Sequence, residues 1–195
     1  MEDLKIIGDV NSYNTTIVGL YDKLLDSLIS TFRQKEFNIL SMDNLTENAI
    51  SDLTLEKIGI DNKRSLTSLQ GKIIENIFSL IDQGIKKIVF KEILTFLDYD
   101  VRRALLLYLN ENNVNFINIT NDMEDTLYAS YLIIIYNNKI ALEGNYLDIL
   151  KEERLLSRMG INLPFIVDIS IQLKYYGLVD KIYLDKEELV GVLWK

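Results

Sequence analysis

The chain has 195 residues, the size of one ordinary domain or of one domain with a small appendage. Hydrophobic residues make up 48% and charged residues 26% of the sequence, which predicts a packed globular core and argues against long disordered stretches. The sequence has no cysteine and no histidine, which excludes disulfides, cysteine metal sites and a histidine base. The net charge of −8 repels phosphate backbones, so we do not expect nucleic acid as a partner.

Neither the amino-terminal segment nor the longest apolar run predicts a membrane span. The segment Met1-Glu2-Asp3-Leu4-Lys5 is charged and no apolar run follows it, so we expect no signal peptide. The longest apolar run near the middle of the chain, residues 132–136, is too short to cross a bilayer. We therefore expect a cytoplasmic protein, and a peripheral position at the inner face of the membrane is equally compatible.

Apolar runs of strand length alternate with longer stretches of helical period. In chain order they predict a strand at 15–19, a helix at 22–33, a strand at 37–40, an unassigned polar stretch at 41–64, a helix at 66–81, a strand at 87–90, a helix at 101–111, a strand at 115–119, a short helix at 125–130, and strands at 132–136 and 140–142. This alternation is typical of an α/β fold with a mostly parallel sheet and helices on both faces. The hairpin-type turn at Asn137-Asn138 adds one antiparallel pair near the end.

After Gly144 the pattern becomes purely helical, with helices predicted at 146–159, 165–176 and 185–193. We therefore place a domain boundary there. Residues 1–144 form the α/β domain in this interpretation, and residues 145–195 form a C-terminal helical extension.

Three segments that follow or join predicted strands carry recognisable patterns. They read K-E-I-L-T-F-L-D at 91–98, I-T-N-D-M-E-D at 119–125 and N-K-I-A-L-E-G at 138–144. These segments resemble, in the same order, the D-E-P-T-S-G-L-D run, the I-T-H-D-M-E-E switch and the G-K-I-x-x-x-G hairpin of ATP-binding-cassette (ABC) ATPases. The resemblance implies a P-loop NTPase-like fold.

The C-terminal segments narrow the resemblance to one branch. They read R-M-G-I-N-L-P at 158–164 and E-E-L-V-G-V-L-W-K at 187–195. Both are similar to the tails of the ATPase subunits of energy-coupling factor transporters, which take up vitamins and metal ions. This branch implies ATPases that work as head-to-tail dimers docked on a membrane coupling subunit.

Upstream the resemblance is thinner. Leu66, Ser68 and Gln70 lie where the family has its L-S-G-G-Q signature, and Asp98 lies at the position of the D-loop aspartate. The family places a helical subdomain of several dozen residues between the phosphate loop and the signature. The gap here is too short to hold it, so we expect a truncated domain that lacks most of that subdomain.

The phosphate loop of this fold is G-x-x-x-x-G-K-S/T, whose backbone N–H groups and lysine hold the phosphates. The corresponding turn here offers Gly19 and Lys23 as weak nucleotide-binding candidates. Leu24 replaces the magnesium-binding hydroxyl, Leu20 and Tyr21 block close approach of the backbone, and Asp22 repels phosphate. We therefore interpret this turn as an ordinary strand-to-helix connection with Asp22 near the helix cap.

The remaining positions of the resemblance are altered as well. Lys91 stands where the family has its magnesium carboxylate, and Asn121 replaces the switch histidine. Glu92 keeps the position of the catalytic glutamate, but we interpret it as a strand-end charge paired with Lys91 or Arg102. We expect no catalytic residue, no metal site and no cofactor, and Lys91, Glu92 and Asn121 are degenerate equivalents of the family's catalytic groups.

These observations favour a catalytically inactive subunit that pairs with a partner. The partner is a second copy or an ABC ATPase subunit, together with a membrane coupling subunit. Leu193 and Trp194 are the interface candidates, whereas Leu189 is expected in the core. Two alternatives stay open: a weakly active or nucleotide-sensing ATP-binding subunit, and an unrelated doubly wound domain with a small-ligand pocket near Gly19, Ser41, Glu92 and Thr120 but without the strand order of ABC ATPases.

Overall fold

A computed structural model describes residues 14–19, 23–47, 52–60, 66–127 and 129–194 of the chain. Its strands are β1 (Thr15–Val18), β2 (Asn38–Ser41), β3 (Lys87–Lys91), β4 (Asn115–Thr120), β5 (Tyr131–Tyr136) and β6 (Lys139–Asn145). Its α-helices are α1 (Lys23–Gln34), α2 (Asp52–Lys57), α3 (Ser68–Asp82), α4 (Tyr99–Glu111), α5 (Tyr146–Leu150), α6 (Glu153–Arg158), α7 (Phe165–Tyr175) and α8 (Lys186–Leu193). Short 3₁₀ turns lie at Met42–Asn44, Leu94–Phe96 and Met123–Thr126.

The six strands form one sheet in the order β2-β3-β4-β1-β5-β6. All neighbouring pairs are parallel except β5 and β6, which form an antiparallel hairpin through the Asn137-Asn138 turn. The predicted α/β class, the mostly parallel sheet and the late antiparallel pair are therefore confirmed. Because the carboxyl ends of parallel strands meet at one edge, this topology gathers the segments that follow β1, β3 and β4.

The two faces of the sheet pack against different helices. One face packs against α1, whose Leu25, Leu28 and Phe32 contact a layer that includes Ile17 and Ile119. The opposite face is shared. Its β2–β4 half packs against α2, α3 and α4, and its β1–β5 half packs against the C-terminal helices.

Side chains in register across this shared face show a change of polarity. Leu40, Phe90, Asn118, Thr16 and Leu132 lie in one row of paired positions. The outer members are apolar, but the central pair, Asn118 and Thr16, is polar and nearly fully buried. A polar seam therefore separates the two apolar clusters on this face.

The prediction of one continuous helix at 146–159 is wrong, because the structure has two shorter helices there, α5 and α6. Leu150 and Leu156 are both fully buried. In one continuous helix, positions six residues apart lie on different faces, so both side chains could not enter the core together. The break near Lys151 solves this conflict.

Two other stretches also differ from the sequence expectation. The short helix predicted at 125–130 is a 3₁₀ turn at Met123–Thr126, which starts earlier because the Asp122 side chain accepts a hydrogen bond from the Glu124 N–H at 2.9 Å. The unassigned stretch 41–64 contains the turn Met42–Asn44 and helix α2. Within the described residues, no helix is long and apolar enough to cross a bilayer.

Candidate functional site

The carboxyl edge of the sheet brings together the residues that follow β1, β3 and β4. Gly19 donates its backbone N–H to the Thr120 carbonyl at 3.1 Å, and Glu92 donates its backbone N–H to the Ile119 carbonyl at 2.9 Å. Asn121 follows Thr120 directly and is exposed. Gly19, Glu92 and Asn121 therefore lie close together at this edge. In the sequence, Lys23 begins α1 directly after residues 20–22, which lie outside the described residues.

Gly19 is held close to strand β5. A Cβ atom built on this glycine would lie 2.8 Å from the Ile135 Cβ and 3.3 Å from the Ile135 carbonyl oxygen. The carbonyl oxygen belongs to the backbone and the Cβ is bonded directly to it, so neither atom can move away without a shift of strand β5. Packing against β5 is a sufficient physical reason for glycine at this position.

Replacing Gly19 with alanine is therefore expected to destabilise the fold by about 1–3 kcal/mol, the usual range for overpacking. The measurement is urea unfolding followed by circular dichroism. Gly191→Ala in α8 is the matched control, because no heavy atom lies within 4 Å of its built Cβ. That variant should be neutral or slightly stabilising, since alanine favours helix over glycine. Equal effects of the two substitutions would contradict the packing explanation.

The amino end of α1 is occupied by a side chain from a distant turn. The Leu24 backbone N–H, in the first turn of the helix, donates to the Asn138 Oδ1 at 3.0 Å. Asn138 belongs to the β5–β6 hairpin, and both Asn137 and Asn138 adopt positive φ angles, of 51° and 61°. Asparagine tolerates this conformation, and its side chain is a strong acceptor for helix N–H groups.

The end of β3 carries Lys91 and Glu92, both half-buried. Glu92 has a φ of 53°, in the left-handed region that residues other than glycine rarely occupy. Its backbone bond to Ile119 holds this conformation at the edge of the sheet. The 3₁₀ turn Leu94–Phe96 follows directly, with Leu94 fully buried.

A buried ionic network crosses the polar seam behind this edge. Arg102 on α4 forms an ion pair with Asp125, and both residues are at most 9% exposed. The Thr120 hydroxyl donates to Asp125 Oδ2 at 2.7 Å, and the Asn118 amide donates to the Asp125 carbonyl at 3.1 Å. Burial raises the pKa of the Asp125 carboxyl, against the opposing influence of Arg102 and of the Thr120 hydroxyl. The network fixes the segment after β4 to α4.

The segment after β4 is also attached to the C-terminal helices. The Phe165 backbone N–H at the start of α7 donates to Glu124 Oε1 at 2.5 Å. The Thr126 hydroxyl donates to the Met123 carbonyl at 2.7 Å and lies 3.2 Å from the buried Tyr146 hydroxyl, whose pKa is raised by burial. The switch-like segment 121–126 thus contacts residues on both sides of the boundary predicted at Gly144.

Solved structures with the same arrangement identify the fold. The chain aligns with the structure of cbiO1 from Clostridium perfringens, part of the ABC transporter complex cbiONQ, with a TM-score of 0.54 at 14% identity, over 74% of this chain and 81% of that one. It aligns with a bacterial Atm1-family ABC exporter with ATP bound at a TM-score of 0.53 and 13% identity, over 75% of this chain and 36% of that one. The chain has the fold of an ABC ATPase.

Curated relatives point to one branch of ABC proteins. The energy-coupling factor transporter ATP-binding protein EcfA of Malacoplasma penetrans is 24% identical over 99% of this chain and 74% of its own length. The EcfA1 proteins of Halalkalibacterium halodurans and Mesomycoplasma hyopneumoniae are 31% and 34% identical over 55% of this chain, and the match spans only 40% of their own length. No family model matches the sequence. The chain is thus similar to ATP-binding subunits of energy-coupling factor transporters.

The segment that resembles the signature, residues 66–70, lies at the start of α3. Thr67 is the cap residue. Its hydroxyl accepts from the Gln70 N–H at 3.2 Å, and Gln70 Oε1 accepts from the Thr67 N–H at 3.0 Å. This reciprocal pair is a capping box. Ser68 is exposed, Leu66 is half-buried and Gln70 is buried against the domain.

Asp98 and the two interface candidates lie on the surface, whereas Leu189 lies in the core. Asp98 is the cap residue of α4 and is exposed. At the carboxyl end of the chain, Trp194 is 81% exposed and Leu193 is 38% exposed. Leu189 is 4% exposed, which confirms its predicted place in the core.

Three residues of this site carry no distinctive sequence signal of their own. The sequence predicts Asn138 only as part of a turn, and Asp125 and Glu124 only as part of a resemblance. The one available signal is the run of acidic residues that follows β4. Carboxylates next to a buried strand must find partners when they become buried, so such a run predicts a nearby cation or hydrogen-bond donor. Arg102, which the sequence offers as a partner for Glu92, supplies one of those partners through its ion pair with Asp125.

Proposed function

We propose that the chain is a catalytically inactive ABC ATPase-like subunit that acts as a structural or regulatory partner in an energy-coupling factor or related ABC transporter. The transporter assignment rests on the similarity to proteins named as its ATP-binding subunits. The inactive state rests on the geometry of the carboxyl edge. The two parts are tested separately.

The hydrogen bond between Leu24 and Asn138 carries the proposal of inactivity. P-loop proteins hold phosphate with the free backbone N–H groups at the amino end of this helix. Here a side chain of the same chain already accepts from one of them. A phosphate that binds to the Leu24 N–H would have to displace Asn138 and break the contact that joins the hairpin to α1.

The residues around the carboxyl edge also fit ATP and magnesium poorly. Leu24 has no hydroxyl to offer a metal ion, and Lys91 is a cation at the position that the resemblance assigns to a metal carboxylate. Asn121 can form hydrogen bonds but cannot take a proton at neutral pH. Within the described ranges, no cluster of three acidic side chains could hold a metal ion. These residues therefore do not support a hydrolytic step.

The signature-like segment, residues 66–70, satisfies part of its helix end internally. The capping box between Thr67 and Gln70 uses one N–H of α3 and the Thr67 N–H for bonds within the chain. These two groups are therefore engaged within the chain itself.

Isothermal calorimetry with ATP, with and without Mg²⁺, tests the inactive state. We expect no heat of binding at up to about 1 mM nucleotide, whereas the EcfA protein of Malacoplasma penetrans serves as the positive control. Micromolar binding that depends on Mg²⁺ would favour the nucleotide-binding alternative, with Lys23 as its first candidate, and would overturn the proposal.

Substitution of the neighbouring residues Asn137 and Asn138 tests the hydrogen bond from the Leu24 N–H to Asn138. Asn138→Gly keeps the positive φ of the turn but removes the acceptor, so we expect a loss of about 0.5–1.5 kcal/mol, the net contribution of one hydrogen bond. Asn137 has the same backbone conformation but, among the described residues, does not cap α1, so we expect little change from Asn137→Gly. The measurement is the urea midpoint of each variant, and equal midpoints would show that the cap contributes nothing.

We further propose that the partner is an ATP-binding subunit of the same transporter, docked with a membrane coupling subunit at the cytoplasmic face. A homodimer is the second arrangement. Leu193 and Trp194 on the proposed C-terminal extension, residues 145–195, supply part of the contact. The mass measured by light scattering, for the chain alone and for its mixture with an intact EcfA protein, distinguishes a homodimer from a heterodimer. We expect Trp194→Ala to weaken the complex that forms.

A further inference from the structure

A cleft of about 510 Å³ opens at the carboxyl edge beside Gly19. The switch-like segment forms one wall, the end of β5 forms a second, and the turn between α6 and α7 forms the third. The cleft has the size of a typical small-molecule site. It lies beside the helix end capped by Asn138, and neither Leu24 nor Lys23 lines it.

The floor of the cleft is apolar. Val18, Met123 and Ile135 are buried at its base, and Met159, Ile161 and Leu163 are half-buried along one wall. Two of these six side chains are methionines. Thioethers make favourable contacts with aromatic rings and adapt their shape to a bound molecule. The floor therefore suits a flat apolar or aromatic body.

The rim of the cleft is polar and acidic. Asn121, Tyr136, Asn137 and Asn162 are exposed around it, and Asp122 and Glu124 are its ionisable acids. Among the described residues, no lysine or arginine lines the cleft. Each acid uses one oxygen in an internal bond, Asp122 with the Glu124 N–H and Glu124 with the Phe165 N–H. Carboxylates without a lining counter-ion attract cations and repel phosphates and carboxylates.

We propose that this cleft binds a small aromatic amine, with the ring on the apolar floor and the ammonium group at the Asp122 side of the rim. The Tyr136 ring at the rim adds a second feature that favours a cation. The cleft shares Gly19 and Asn121 with the carboxyl edge described above. The proposal does not rest on the inactive state, because it concerns a ligand whose charge is opposite to that of a nucleotide.

Methionine methyl NMR tests the site directly. The sequence has four methionines, of which Met123 and Met159 line the cleft and Met42 lies outside it. Tryptamine is the probe, and indole-3-propionate, with the same ring and a carboxylate, is its matched control. We expect saturable shifts at Met123 and Met159, an unchanged Met42, and affinity for tryptamine roughly tenfold or more above that for indole-3-propionate.

Variants separate the roles of charge and space. Asp122→Asn keeps a residue that can cap the turn but removes the charge, so it should weaken tryptamine roughly three- to tenfold and leave indole-3-propionate unchanged. Asp43→Asn, an exposed acid away from the cleft, should change neither. Asn162→Trp places a large ring in the cleft and should abolish the shifts at Met123 and Met159 with either probe. Equal affinity of the two probes, saturable shifts at Met42, or no saturable shift at Met123 and Met159 would each overturn the proposal.

Discussion

Arg102→Ala is expected to destabilise the fold by about 3–5 kcal/mol, because it leaves the Asp125 carboxylate buried without its cation. Asp125 is 2% exposed, and after the change its carboxylate keeps the hydrogen bond from the Thr120 hydroxyl but has no cation beside it. Truncation of one member of a buried ion pair costs far more than loss of a surface pair. The measurement is chemical denaturation at neutral pH.

The neighbouring arginine is the matched control for this experiment. Arg103 pairs with Asp185 at 3.0 Å, but the side chains are 40% and 17% exposed. Arg103→Ala should therefore cost no more than about 1 kcal/mol. The double variant Arg102→Ala, Asp125→Asn should be more stable than Arg102→Ala alone, since it removes the unpaired charge. Similar losses for the two arginine variants would contradict the importance of the buried network.

The pH dependence of Arg102→Ala has a defined sign. Burial already raises the pKa of Asp125, and removal of Arg102 takes away the strongest opposing influence. A carboxyl whose pKa is higher in the folded than in the unfolded state favours folding at low pH, and this contribution is lost as the pH rises through the folded-state pKa. The destabilisation caused by Arg102→Ala should therefore shrink as the pH falls from neutral through the raised pKa of Asp125.

Leu156→Ala is the second large effect, expected to cost about 2–5 kcal/mol. Leu156 on α6 is fully buried in the cluster that joins β1 and β5 to the C-terminal helices. Leu155→Ala on the same helix is the control, because Leu155 is 40% exposed and should change stability by no more than about 0.5 kcal/mol. The pair differs in burial alone.

Two probes make this experiment informative about the boundary predicted at Gly144. Hydrogen exchange in increasing urea, followed for peptides from α5 to α8, reports on the C-terminal helices. Circular dichroism reports on the whole chain. Coincident transitions that shift together in Leu156→Ala indicate one cooperative core. An exchange transition of the C-terminal peptides that shifts alone would mean that residues 145–195 unfold as a separate unit.

The fold was predictable because its four inner strands, β1, β3, β4 and β5, are buried on both faces. Such strands read as continuous apolar runs, as in 88–90 and 132–135, and these runs alternate with amphipathic helices. The helix break after Leu150 was not predictable from periodicity, since both halves have helical period. It became visible only when the burial of Leu150 and Leu156 was known.

The candidate site was predictable only in part. The sequence placed Gly19, Glu92 and Asn121 at strand ends, and parallel topology brings strand ends together. The contact between Leu24 and Asn138 joins residues 114 positions apart, and no local pattern encodes such a pairing. The bond from Phe165 to Glu124 is of the same kind. Sequence patterns thus located the edge of the sheet, but long-range hydrogen bonds decide what that edge can bind.

The Asn138 cap has a consequence for how this fold responds to the metabolic state of a cell. A protein that binds a free ligand gains stability in proportion to the logarithm of ligand concentration, about 2.7 kcal/mol at a hundredfold excess over Kd. Asn138 is a permanent, tethered acceptor whose effective concentration at α1 does not vary. On the proposed function, the subunit would keep its shape unchanged through a fall in ATP, when nucleotide-dependent partners lose part of their stabilisation.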